Sequence, residues 1–358
     1  MNRIDTFLEL AVRQGGSDLH LVAGLPPRVR SGGDVQPIPF RELSHQDIEG
    51  FLDEMMTPAM RQELEVRWNV DFAYVSSTGD RFRGNVYKHS NGLAAVMRVI
   101  ASEPPTLESI GLPSQVKTVL DLGKGLVLVT GPTGAGKSTT LAAMVDYLNQ
   151  TMHGHIITLE DPVEYLHPFK KCVMTQRGIG THAPSFADAL RGAVREDPDV
   201  VLVGDMRDIE TIGLALTASE TGILVLGTLH TSGAIRTVDR IVNVFPPRRQ
   251  DQVRTMLSDS LRLVVSQRLV RKLDGTGRVA AAEVLVSTTA VSSMIRQGNT
   301  HKLQSVLQSG QRLGMQSLDS VLMELVRKEI ISGEEAYEHA IDRTQFERYV
   351  APVGDLAA

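Results

Sequence analysis

The run Gly131-Pro132-Thr133-Gly134-Ala135-Gly136-Lys137-Ser138 fills every fixed position of the phosphate-loop pattern Gly-x-x-x-x-Gly-Lys-Ser/Thr. Its glycines let backbone N–H groups curl around phosphate oxygens, and a following helix N-terminus adds positive partial charge. Lys137 would reach β- and γ-phosphates, and Ser138 would ligate Mg²⁺. The expected phosphate site is therefore Gly131, Thr133, Gly134, Ala135, Gly136, Lys137, Ser138 and Thr139. Its chemistry would be nucleotide binding.

Three later pieces supply groups that phosphoryl transfer needs. Ile156-Ile157-Thr158-Leu159 runs into Glu160, Asp161 and Glu164, and hydrolysis needs one base to orient water. Taken alone, these carboxylates read equally well as solvated turn acids. Val200-Val201-Leu202-Val203 is followed by Gly204 and Asp205, an acid that could hold Mg²⁺ directly or through water. Gly227-Thr228-Leu229-His230-Thr231 places a polar side chain where a γ-phosphate could be sensed. Arg81, Arg83 and Arg98 are candidates for stabilising transition-state charge from a neighbouring copy, against the simpler reading of surface arginines on strands.

The elements that must position these groups are legible as periodicity. Leu126-Val127-Leu128-Val129 reads as a buried strand entering the loop. Leu141, Met144, Val145 and Leu148 recur at helical spacing after it. Apolar runs at 126–129, 156–159, 200–203 and 223–226 alternate with helical stretches, the pattern of a parallel sheet covered on both faces. Catalytic groups gather at the C-terminal strand ends of such sheets, where the acids and His230 fall. Residues 288–348 read as mainly helical.

The first hundred residues read differently, as a small α+β domain. A short helix carries Ile4, Phe7, Leu8 and Ala11, and a strand spans Ser17 to Val22. Turns are expected at Gly24-Leu25-Pro26-Pro27 and Gly32-Gly33-Asp34, and a helical stretch from an N-cap at Ser44 to Leu64. Strand-like segments follow at Val70–Val75, Arg81–Tyr87 and Leu93–Ile100. The segment from Ala101 to Thr106, with Pro104 and Pro105, reads as the interdomain linker. The expected division is 1–100, a linker at 101–112, and 113–358.

Composition narrows the function classes. The 358 residues suggest two domains, and 42% hydrophobic content supports packed cores, with disorder expected only at the last few residues. No apolar run is long enough to cross a bilayer, and the N-terminus lacks a signal-peptide core. The single cysteine, Cys172, excludes an internal disulfide and a four-cysteine zinc site. A soluble, cytoplasmic chain is expected. A net charge of −5 and 4% aromatics give neither the basic footprint nor the stacking platform of a nucleic-acid motor.

Together these residues resemble the secretion ATPase superfamily, and within it the type IV pilus retraction ATPases, the PilT family. The resemblance spans nearly the whole chain. It rests on Ser17-Asp18-Leu19-His20-Leu21, Gly24-Leu25-Pro26-Pro27, the loop at 131–140, Glu160-Asp161-Pro162-Val163-Glu164, Arg195-Glu196-Asp197-Pro198-Asp199, Glu220-Thr221-Gly222, Gly227-Thr228-Leu229-His230-Thr231 and Leu313-Gly314-Met315-Gln316-Ser317-Leu318-Asp319. It implies an α/β chain: a PAS-like N-terminal domain, then a RecA-like P-loop ATPase domain with a helical C-terminal part. It implies a hexameric ring with ATP between the domains. It implies Glu164 as catalytic base, Asp205 as Walker B acid beside Ser138 at Mg²⁺, and His230 as the His-box histidine. Arg81, Arg83 or Arg98 would supply the arginine finger, with the choice among them open. The implied work is pilus retraction, by turning an inner-membrane platform protein, with a second retraction ATPase as a possible partner. The chain would sit peripherally at the inner membrane. The absence of a four-cysteine motif favours the retraction branch, PilT or its paralogue PilU, over extension and type II secretion ATPases.

Four positions depart from the family pattern. Asp205 stands where Glu is usual, and Ile223 follows Glu220-Thr221-Gly222 where His is usual. Gly180-Thr181-His182-Ala183-Pro184-Ser185-Phe186 replaces Gly-x-Asp-Thr-x-Ser-Phe, and Ala290-Val291-Ser292-Ser293-Met294-Ile295-Arg296-Gln297 replaces a helix motif linked to retraction. They keep a second reading open: a nucleotide-binding, weakly hydrolysing ring subunit.

Overall fold

The computed structural model describes residues 2–31, 34–100 and 104–350. The chain divides into two compact units, Met1–Glu103 and Pro104–Ala358. The proposed linker residues Ala101 to Glu103, the Gly32-Gly33 turn and the C-terminal tail from Ala351 lie outside the described residues.

The first unit is one antiparallel sheet under helices. Its strands are β1 (Asp18–Val22), β2 (Arg28–Ser31), β3 (Asp34–Pro37), β4 (Asn69–Val75), β5 (Arg81–His89) and β6 (Gly92–Ile100), in the order β3-β2-β1-β6-β5-β4. Alternation sorts the side chains by face. Leu19, Leu21, Phe72, Phe82, Val86 and Met97 pack with Ile4, Leu8, Ile48 and Leu52 from the helices Arg3–Arg13 and His45–Met55. The opposite face carries charge: Asp18 pairs in register with Arg30 and Arg98, and Arg98 with Arg83. The single helix expected from Ser44 to Leu64 is two. Ser44 caps the first in a capping box with Asp47. The first stops at Met55, and Pro58 starts the second, Pro58–Arg67, behind a Thr57 cap.

The second unit is built on seven strands: β7 (Gly125–Thr130), β8 (His155–Glu160), β9 (Val173–Gly178), β10 (Val200–Val203), β11 (Leu224–Leu229), β12 (Leu261–Arg271) and β13 (Arg278–Val286). Their order is β13-β12-β7-β11-β10-β8-β9, parallel throughout except for the β12–β13 pair. The four apolar runs are β7, β8, β10 and β11. Both faces are covered, as the unbroken apolar pattern requires. Leu126 and Leu128 enter one core with Ile212 and Leu257, while Val127 and Val129 enter the other with Met144 and Leu148. The C-terminal region is helical from Thr289 to Tyr349, in short segments.

Candidate nucleotide site

The phosphate loop leaves β7 and closes into the helix Lys137–Thr151, with Gly136 as N-cap at φ 84°. A side chain at Gly136 would be strained by that φ, and a Cβ at Gly131 would stand 2.3 Å from the Gln267 carbonyl oxygen. Both glycines are therefore required by geometry. Lys137 Nζ donates to the carbonyls of Gly131 (3.0 Å) and Pro132 (3.1 Å). Partial burial holds its pKa below the ordinary lysine value, opposed by the negative charges of Asp205 and Glu164.

The strand ends deliver the acids beside this loop. Ser138, Glu160, Asp161, Glu164, Tyr165, Gly204 and Thr228 line one small cavity of about 60 Å³. Glu160 leaves β8 half-buried, accepting from Thr158 Oγ1 at 2.7 Å, and burial raises its pKa. Glu164 is exposed at the cavity edge, one turn beyond a cis Asp161–Pro162 peptide. Thr139 and Tyr165 hydroxyls meet at 3.2 Å, linking the helix to the Glu164 loop.

Asp205 stands just past β10. Its Oδ2 pairs with Arg207 Nε at 2.5 Å and lies 3.6 Å from His230 Nε2. Arg207 Nη2 also lies 3.1 Å from His230 Nε2, a contact in which the guanidinium can only donate. Among the described residues, Asp205 Oδ1 is buried with no hydrogen-bond partner. Thr228 Oγ1 donates to the Gly204 carbonyl at 2.5 Å, tying β11 to the bend that carries Asp205. Thr133, Arg207, His230, Thr231 and Arg240 line a larger adjoining cleft of about 440 Å³.

The structure thus brings Lys137, Ser138, Glu164, Asp205 and His230 to one sheet edge. The three arginines belong to the other unit. There Arg98 donates to Asp18 at 2.8 Å, and Arg83 lies 3.6 Å from Asp71. Among the described residues, Arg81 makes no ion pair or side-chain hydrogen bond.

Residues that the sequence reading did not assign also shape the site. Arg207 and Thr228 are adjacent to named positions. Gln267 on β12 is 2% exposed and reaches the phosphate loop from more than a hundred residues away. The polar residues around it, Ser266 and Arg268, left no local signal to single it out. Three departures from the family pattern take packing or turn roles: His182 Nδ1 accepts from Gly178 N, Ile223 packs on the core, and Val291 and Ile295 are buried.

Comparison with known proteins decides the family. The model of the type II/IV secretion system protein family matches residues 75–347. The chain belongs to that family. It is 48% identical over 337 residues to the type IV pilus retraction ATPase PilT of Pseudomonas aeruginosa, covering 94% of this chain and 98% of PilT. It is 38% identical to the type IV pilus ATPase PilU of the same organism, covering 94% of this chain and 88% of PilU. The crystal structure of the pilus retraction motor PilT with bound ADP superimposes with a TM-score of 0.88 at 44% identity, covering 96% of this chain and 99% of PilT. The chain is accordingly a P-loop ATPase of the secretion family, with the α/β architecture of that structure.

Proposed function

We propose that this chain is an ATP-hydrolysing motor that powers type IV pilus retraction. In this proposal it works as a hexameric ring of identical copies against an inner-membrane platform protein. The observation that carries the reading is the convergence of Lys137, Ser138, Glu164 and Asp205 on one strand edge. PilT stands nearer in identity than PilU, which supports the retraction motor over its paralogue. Among the described residues no helix is long and apolar enough to cross a membrane, which suits a peripheral position at the cytoplasmic face.

The loop N–H groups and Lys137 hold the β- and γ-phosphates. Glu164 accepts the proton of the attacking water as its oxygen bonds to γ-phosphorus and the bond to the ADP oxygen breaks. Ser138 and Asp205 would hold Mg²⁺, which would supply positive charge to offset the negative charge of the phosphates. The orphaned Asp205 Oδ1 fits that assignment, because a buried carboxylate oxygen without a donor is costly unless water or a cation meets it. In this reading His230 and Arg207 border the γ-phosphate side, and Arg81 is taken as the arginine finger because, among the described residues, it makes no ion pair or side-chain hydrogen bond.

The test is steady-state ATP hydrolysis with Mg²⁺, wild type beside Glu164→Gln. Wild-type turnover with a loss of at least about 100-fold in the variant, ADP binding being retained, is the expected result. Equal turnover removes Glu164 as base. A second reading rests on Asp205, whose Oδ2 is already engaged by Arg207: a subunit that binds nucleotide and barely hydrolyses it. Wild-type protein that binds ADP without turnover would favour that reading.

A further inference from the structure

We infer that Gln267 is a positioning residue that aims the phosphate loop, and thereby sets affinity for the nucleotide's terminal phosphates. The inference rests on the ATPase reading and adds a residue outside the loop to it.

Gln267 sits on β12, the neighbour of β7 on the side away from β11. Both ends of its side-chain amide are engaged. Nε2 donates to the Ala135 carbonyl at 2.6 Å, and Oε1 accepts from Thr140 Oγ1 at 2.9 Å. One end grips the loop and the other grips the first turn of the helix that the loop feeds. The Ala135 carbonyl can only accept, so the NH₂ group faces it and Oε1 is left to accept from the Thr140 hydroxyl.

The consequence follows from peptide planarity. In a trans peptide the C=O of residue 135 and the N–H of residue 136 point in opposite directions. Pulling the Ala135 oxygen toward β12 therefore turns the Gly136 N–H away from β12, into the concave side of the loop. Among the described residues that N–H has no hydrogen-bond partner. A donor kept free and aimed into a glycine loop is what a phosphate oxygen requires. Without the amide, the Ala135 carbonyl is buried and unsatisfied. The 135–136 peptide would gain by turning its oxygen to solvent, which presents a carbonyl to the phosphate in place of an N–H. The backbone of β12 reinforces the same aim, since its Gln267 carbonyl leaves no room for a side chain at Gly131.

The test uses full-length protein and measures ADP and adenosine affinities by calorimetry, with thermal unfolding of the nucleotide-free protein alongside. Gln267→Met keeps length and burial and removes both hydrogen bonds. The expected result is an ADP affinity lowered about tenfold, the scale of one well-placed hydrogen bond, with adenosine affinity unchanged. A purely structural role would lower nucleotide-free stability and move both ligands together. Thr140→Val, which removes the donor to Oε1 and loosens the amide but leaves Gln267 in place, is expected to weaken ADP binding in the same direction. It should add little when combined with Gln267→Met. If Gln267→Met fails to fold, Thr140→Val alone carries the measurement. ADP affinity equal to wild type in the folded variants overturns the inference. A wild-type protein that binds no ADP overturns the ATPase reading first and this inference with it.

Discussion

Asp205 carries two opposed demands in one side chain. Arg207 occupies Oδ2, while Oδ1 is buried and unpartnered. A short carboxylate held by an arginine has little freedom to follow a metal ion bound at Ser138. Glutamate at this position lengthens the side chain by one methylene and so widens the reach of the carboxylate. Asp205→Glu is therefore expected to raise Mg²⁺-dependent turnover severalfold, read as kcat at saturating ATP, with ADP affinity little changed. A fall in kcat would show that Asp205 is already at the productive distance. At this same scale, Lys137 is held against the loop it serves. Its ammonium rests on two loop carbonyls, contacts that phosphate oxygens would replace.

At the scale of elements, the loop carrying Glu164 is fastened to the phosphate-loop helix. Buried Asn149 donates to the Pro168 carbonyl and accepts from Lys170 N and Cys172 N. Gln176 on β9 accepts from His167 N and donates to the Tyr165 carbonyl. Lys170 pairs with Asp146 at 2.6 Å. The loop that bears Glu164 is thus tied to the helix that bears Lys137 and Ser138. His167 lies beneath this loop, and burial lowers its pKa from 6.5 to about 4, with Asp146 opposing and Lys170 assisting. The sign follows from linkage: the unfolded chain binds the proton first, so acid favours unfolding. Stability from the neutral imidazole is complete above pH 6.5 and is lost as pH falls toward about 4. The loss approaches about 3 kcal/mol. Denaturant midpoints measured across that range should fall steeply in wild type and less in His167→Phe. Parallel curves would remove His167 as the source.

At the scale of the molecule, the acids and the arginines lie in different units. The second unit holds Glu164 and Asp205, and the first holds Arg81 on the charged face of its sheet. The ring proposal makes a specific prediction. Arg81→Ala and Glu164→Gln should each abolish turnover, and mixing the two inactive proteins should restore part of it. An intact Glu164 in one copy then meets an intact Arg81 from another. Mixtures that stay inactive, with subunit exchange confirmed, would place Arg81 outside the transition state.

The linear order of residues was enough to determine the chemistry. The phosphate loop is contiguous, so Gly131 to Ser138 announce themselves without neighbours. Glu164, Asp205 and His230 each follow an apolar run that ends a parallel strand, and strand order alone sends such ends to one edge. The four strands of the sheet's centre were visible for the same reason. β9, β12 and β13 were not, because polar residues such as Arg262, Ser266 and Gln267 interrupt them and their pairings lie at or near the sheet margins. The break between Met55 and Pro58 was hidden inside a helical pattern that a proline at N1 restarts without a gap. What only the tertiary structure decided is which distant groups complete the site. Gln267 meets Ala135 across 132 positions, and Thr228 meets Gly204 across 24. Such contacts follow from β12 and β11 pairing with β7, and β11 with β10, in one register. The apolar pattern of each strand decides which face it buries, but which distant strand it pairs with is decided by packing over the whole sheet.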